Sequence, residues 1–78
     1  MKTVVLYTRP SCHLCDEARR VIVGVLGAAV AEVDIADCDD LMVRYETRIP
    51  VLRRTDTGVE IGWPFGPEEV WALLKSVR

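Results

Sequence analysis

The stretch Lys2-Thr3-Val4-Val5-Leu6-Tyr7-Thr8-Arg9-Pro10-Ser11-Cys12-His13-Leu14-Cys15 decides how this chain folds. Its first seven residues are mostly apolar and β-branched, with no alternation of polar residues, which predicts a strand covered on both faces. Arg9-Pro10-Ser11 ends the strand. Leu14, Ala18, Val21, Ile22, Val25 and Leu26 then recur at three- and four-residue spacing, the pattern of an amphipathic helix that lays those residues on a sheet and stops near Gly27. Asp16, Glu17, Arg19 and Arg20 fall on its outer face. The thiol pair Cys12-x-x-Cys15 therefore sits where a strand hands over to a helix N-terminus. The N–H groups there lack partners, and the positive end of the helix dipole favours an anion.

Working outward, Ala31–Ile35 reads as a short second strand. Asp37-Cys38-Asp39-Asp40 reads as a helix start, with acids in the first turn ahead of Leu41, Met42 and Tyr45. After Ile49-Pro50, the runs Val51–Thr55 and Val59–Ile61 flank Asp56-Thr57-Gly58, a hairpin signal in which Gly supplies a positive φ. Gly66-Pro67-Glu68-Glu69 opens a last helix whose Val70, Leu73, Leu74 and Val77 are expected to face the sheet. The expected order is β-α-β-α-β-β-α. Arg53-Arg54 and Asp39-Asp40 read as solvated charges.

With 78 residues, one domain over 1–78 is expected, with an economical core. A net charge of −2, with no concentrated basic run, gives nucleic-acid binding no support. No apolar stretch approaches the length of about 20 residues that a membrane span needs. The chain opens on a strand rather than on a secretory leader, so the cytoplasm is the expected compartment. Three cysteines do not make a closed disulfide framework, and thiols in that compartment are kept reduced, so a pair there points to catalysis or metal binding.

Cysteine reacts as the thiolate. An ordinary thiol is only about 3% ionised at pH 7, so a reactive one must be stabilised. At the cap position the Cys12 sulfur can accept N–H groups of the first turn, whereas Cys15, one turn in, is shielded. That asymmetry suits attack by Cys12 on a disulfide and resolution by Cys15. The helix terminus supplies about 1 kcal/mol, less than a fully ionised thiolate requires, so Arg9 and His13 are further candidates for lowering the Cys12 pKa. As a permanent staple the pair would add little, because its loop is so short. A zinc site needs four ligands in most structural cases, and only His13 and Cys38 are left to join, so no metal is expected within one chain. Cys38 reads as a bystander thiol, open to mixed disulfide formation if exposed.

Tyr7-Thr8-Arg9-Pro10-Ser11-Cys12-His13-Leu14-Cys15 resembles the active-site segment of glutaredoxins, and Arg48-Ile49-Pro50-Val51 resembles the later segment that carries their cis-proline. Thr8 through Ala18, together with Trp63-Pro64-Phe65, is similar to a group of small bacterial glutaredoxin-like proteins. The resemblance implies an α/β protein with the minimal thioredoxin/glutaredoxin fold, a four-stranded mixed sheet with three helices. It implies Cys12 as nucleophile, Cys15 as resolving thiol, and Pro50 in cis facing the pair. Ile49 would offer its backbone N–H and C=O to an extended substrate. The chain departs from glutathione-using members at Gly62-Trp63-Pro64-Phe65, where they carry a second Gly and then a polar or acidic residue. Pro64 has no N–H to donate. Trp63 and Phe65 would rim a protein substrate or pack over the sheet end. Read by its charge alone, Arg9 would pair with a substrate carboxylate or the thiolate or stay a solvated surface charge, and Arg48 is similar.

The function expected is thiol–disulfide exchange on protein or low-molecular-weight disulfides by a monomer. It would hold no bound cofactor and draw electrons from glutathione, another thiol or a thioredoxin-reductase-type partner. The alternative is a module that holds a metal or an iron–sulfur cluster through Cys12 across a dimer.

Overall fold

The computed structural model describes residues 4–75, so Lys2 and Thr3 of the expected first strand and Val77 of the expected last helix lie outside the described residues. At the centre runs β1 (Val4–Thr8), parallel on one side to β2 (Ala31–Asp34) and antiparallel on the other to β3 (Val51–Arg54), with β4 (Glu60–Gly62) beyond it. The strand order is β2-β1-β3-β4. A parallel pair needs a long crossover, and α1 (His13–Leu26) supplies it between β1 and β2. The chain then passes a single 3₁₀ turn, Ile35–Asp37, and α2 (Asp39–Tyr45) before β3, and ends its described part in α3 (Pro67–Lys75). This is the β-α-β-α-β-β-α order expected from the sequence.

Alternation along the strands sends residues to two cores. Val4, Leu6 and Leu52 join Ala18 and Ile22 of α1 and Val70, Leu73 and Leu74 of α3. Leu6, Ile22 and Leu52 are fully buried, each contributing about 1.5–3 kcal/mol of apolar burial. Tyr7 and Val51 face the other way, onto Ile35 and Tyr45 beside α2.

The stop signals act as their chemistry requires. Gly27 takes φ 73° and donates its N–H to the Val23 carbonyl at 2.8 Å, closing α1 with a left-handed cap. Gly58 takes φ 80° in the hairpin turn, with its N–H on the Arg54 carbonyl at 2.8 Å.

Several local expectations are corrected. Leu14, expected on the sheet, is 45% exposed: it lies in the first turn of α1, ahead of the part of the helix that packs at Ala18 and Ile22. Ile35 leaves β2 for the 3₁₀ turn, where it becomes fully buried, and α2 starts at Asp39 rather than at Asp37. The hairpin strands end at Arg54 and begin at Glu60, leaving Thr55 and Val59 in the turn region.

Arg53 and Arg54 are not solvated charges either. Arg54 Nη1 donates to the carbonyls of Leu73 and Leu74, both at 3.1 Å, satisfying acceptors that the end of α3 leaves open. Its Nη2 reaches Asp56 Oδ2 at 2.6 Å, and that hydrogen bond holds the guanidinium charged. Arg53 is half-buried, and the nearby Tyr7 hydroxyl raises its pKa. Arg19 ties α1 to β2: it meets Glu32 through Nε and again through Nη2 at 2.8 Å, and Asp16 through Nη1 at 2.6 Å.

Candidate active site

β1 ends at Thr8, and the turn that follows places Ser11 at φ 61°, a left-handed conformation that costs a non-glycine residue about 1 kcal/mol or more. The turn delivers Cys12 to the N-cap of α1 with extended φ −94° and ψ 105°. Its Sγ accepts the Cys15 N–H at 3.1 Å, and its carbonyl accepts the Asp16 N–H at 3.3 Å. Cys12 and Cys15 are joined in a disulfide with Cα atoms 5.2 Å apart. Cys12 is half-buried, whereas Cys15 is 1% exposed. The two cysteines are thus unequal in burial: Cys12 is half-buried with its Sγ on a backbone donor, and Cys15 is buried.

The sheet brings the remaining candidates to the same end of the molecule. Tyr7 pairs with Val51, and Val51 with Gly62. The residues just outside those pairs are therefore the Arg9–Cys12 turn, Pro50 and Trp63. Pro50 is fully buried, and the Ile49–Pro50 peptide is cis, as the resemblance implies. Trp63 donates its N–H to the Pro50 carbonyl at 3.0 Å, and the Trp63–Pro64 peptide is also cis, which nothing in the sequence reading anticipates. The Trp63 ring packs partly buried against the α1–α3 core and edge-on to Phe65, centroids 5.1 Å apart.

Other candidates are placed differently. The His13 side chain is 84% exposed, and its Nε2 lies 3.0 Å from Glu17 Oε2, so its polar partner is on the next turn of the helix rather than the Cys12 sulfur. Arg9 is exposed in the turn before Cys12. The Ile49 N–H donates to the Tyr45 carbonyl at 3.1 Å, so it is already engaged and not offered outward. Arg48 reaches not a substrate position but Glu60, Nη2 to Oε1 at 2.8 Å. Cys38 is a free, exposed thiol at the N-cap of α2 that makes no capping bond there. Among the described residues no group of three or more His, Cys, Asp or Glu side chains is placed to hold a metal ion, and no helix is long and apolar enough to cross a membrane.

Sequence reasoning missed Ser11, Tyr45 and Glu60. A positive φ at a serine leaves no sequence mark. Glu60 reads as one more acid in a hairpin, although its place on β4 opposite Arg53 puts it on the Tyr7–Val51 face.

A four-stranded mixed sheet with α1 crossing between its parallel strands, and a Cys-x-x-Cys pair at the tip of that helix, defines a minimal thioredoxin-like fold. The sequence profile of the glutaredoxin-like domain family (DUF836) matches residues 3–75, and the chain belongs to that family. Its crystallographic neighbour, the structural genomics target XcR50 of X. campestris, is 38% identical with a TM-score of 0.78, covering 88% of this chain and 91% of that one. The solution structure of XcR50 gives the same identity and a TM-score of 0.77, covering 92% and 90%. The glutaredoxin of Archaeoglobus fulgidus shares the fold, with a TM-score of 0.62 at 15% identity over 97% of this chain and 89% of that one. No curated protein matches the chain.

Proposed function

We propose that this protein is a thiol–disulfide oxidoreductase that reduces protein or small-molecule disulfides in the cytoplasm, with Cys12 as nucleophile and Cys15 as resolving thiol. The single observation behind this reading is the unequal pair: a half-buried Cys12 at the helix tip whose Sγ has a backbone N–H 3.1 Å away, and a fully buried Cys15 bonded to it. In the reduced protein that N–H and the helix dipole favour the Cys12 thiolate, the form in which cysteine reacts.

The thiolate attacks one sulfur of a substrate disulfide. A Cys12–substrate mixed disulfide forms, and the substrate's other sulfur departs as a thiolate that takes a proton from water. Cys15, having given its proton to solvent, attacks the Cys12 sulfur. The Cys12–Cys15 bond forms, the second substrate thiolate leaves, and two electrons have passed to the substrate. Two molecules of a thiol such as glutathione, or a reductase of the thioredoxin-reductase type, return the pair to the dithiol. The Ile49 carbonyl beside Pro50 would take the backbone of an extended substrate. Trp63 would flank it, and Arg9 would meet anionic groups near the sulfur.

The test is reduction of a peptide disulfide with either donor. Cys12→Ser is expected to abolish turnover, and Cys15→Ser to accumulate a mixed disulfide at Cys12. Full activity in Cys12→Ser overturns the assignment. Iron and acid-labile sulfide in protein purified without oxygen would instead favour a cluster-holding module.

A further inference from the structure

Arg48, Tyr45 and Glu60 form a connected group that the chemistry above leaves without a task. The loop between α2 and β3, residues 46–50, carries Ile49 and Pro50 to the site. Two successive N–H groups of that loop, Arg48 and Ile49, donate to one acceptor, the Tyr45 carbonyl, at 2.9 and 3.1 Å. The pose of the loop therefore follows the pose of Tyr45. Tyr45 is held from two sides. Its ring, 2% exposed, stacks on Tyr7 at 4.5 Å, and Tyr7 is five residues before Cys12 on the strand that delivers the thiol. Its hydroxyl donates to Glu60 Oε2 at 2.7 Å.

Glu60 does more than hold that hydroxyl. Its other oxygen, Oε1, accepts from Arg48 Nη2 at 2.8 Å, and the Arg48 guanidinium lies 5.2 Å from the centre of the Tyr45 ring. Both carboxylate oxygens of one β4 residue thus serve the loop, one through its root at Tyr45 and the other through its middle at Arg48. Burial and the acceptor Glu60 hold the Tyr45 phenol protonated, pushing its pKa up, so it stays a donor. The arrangement also occupies Arg48, whose guanidinium is shared between carboxylate and ring rather than offered to a substrate.

We infer that Glu60 is a positioning residue for substrate: through Tyr45 and Arg48 it fixes the 46–50 loop so that the backbone at Ile49–Pro50 meets an extended peptide beside Cys12. The inference rests on the oxidoreductase reading. It differs from that reading in acting only on substrates long enough to lie along the loop. A small reagent needs the thiolate and nothing else.

The experiment compares two rates in the same variants. Steady-state reduction of an extended peptide disulfide reports the loop, and alkylation of reduced Cys12 by iodoacetamide reports the thiol alone. Arg48→Ala and Glu60→Ala are each expected to raise KM for the peptide roughly three- to tenfold, with kcat and alkylation changed less than about twofold. The double variant should be barely worse than Glu60→Ala alone, because removing Glu60 already breaks the Arg48 contact. Arg48→Lys should restore part of the loss, since it keeps the charge but not the fork. Glu60→Gln keeps the shape and an acceptor for Tyr45 while losing the ion pair, and serves if an alanine variant fails to fold.

An unchanged peptide KM in folded variants overturns the inference, and so does a parallel fall in alkylation, which would place the effect on the thiol or the whole fold. A wild-type protein that alkylates at Cys12 yet reduces no disulfide overturns the oxidoreductase reading instead, and this inference with it.

Discussion

The two faces of the sheet are built from different materials. On the α1–α3 face the contacts among Leu6, Ile22, Leu52 and Val70 are apolar, and Arg54 enters only at the end away from the thiol pair, on the Leu73 and Leu74 carbonyls. On the α2 face a smaller cluster around Tyr7, Ile35, Tyr45 and Val51 is edged by Arg48, Arg53 and Glu60. Apolar packing is non-directional and scales with area, so the first face contributes stability without dictating fine geometry. Hydrogen bonds and ring stacking are directional and weaker in net terms, so the second face contributes orientation. The α2 face is the one that roots the loop carrying Pro50.

Substitutions can break that contrast. The largest expected effect is Leu52→Ala. This fully buried side chain pairs in register with Leu6, and its truncation should cost about 2–5 kcal/mol. Urea unfolding measures the loss, while KM per folded molecule should hardly move. A loss below about 1 kcal/mol would mean that the core collapses around the gap and the division between faces is weaker than drawn.

Tyr45→Phe comes next and should show the opposite profile. It removes one hydrogen bond, to Glu60, and about 0.5–1.5 kcal/mol. Peptide KM should rise although stability falls only modestly. Equal or greater damage to stability than Leu52→Ala would sink the distinction.

The smallest effect concerns pH, and it is read at the seam between α1 and β2. The Arg19 hydrogen bond lowers the Glu32 pKa, so the folded state binds fewer protons there than the unfolded chain. The resulting stability is present above the ordinary carboxylate range and is lost as pH falls through the lowered folded value. Glu32 and Arg19 are about one-third exposed, so solvent screening keeps the term below about 1 kcal/mol. Thermal melts of wild type and Glu32→Gln should converge as the solution is acidified. A gap independent of pH would remove this linkage.

Much of this was legible in the chain itself. Element order follows from periodicity and from Gly27, Pro50 and Gly58, whose backbone needs are local. The thiol pair follows from its place between strand and helix. What escaped reading depends on partners distant in sequence. Arg53 and Arg54 look like one polar dipeptide, yet a strand sends neighbours to opposite faces. One meets Tyr7, and the other meets the carbonyls of Leu73 and Leu74. Leu14 fits the helical period but precedes the contact with the sheet, and no period records where packing starts. Glu60 gains its meaning only when the hairpin brings β4 level with Tyr45.

The brevity of the Cys12–Cys15 bridge has a consequence of its own. The two residues are three apart, so closing or opening their bond changes the freedom of the unfolded chain less than a longer bridge would. A bridge spanning the sheet would tighten and slacken the whole molecule at every turnover. In the proposed exchange the bond change would be confined to one turn of helix, and the scaffold would feel it less than it would feel a longer bridge.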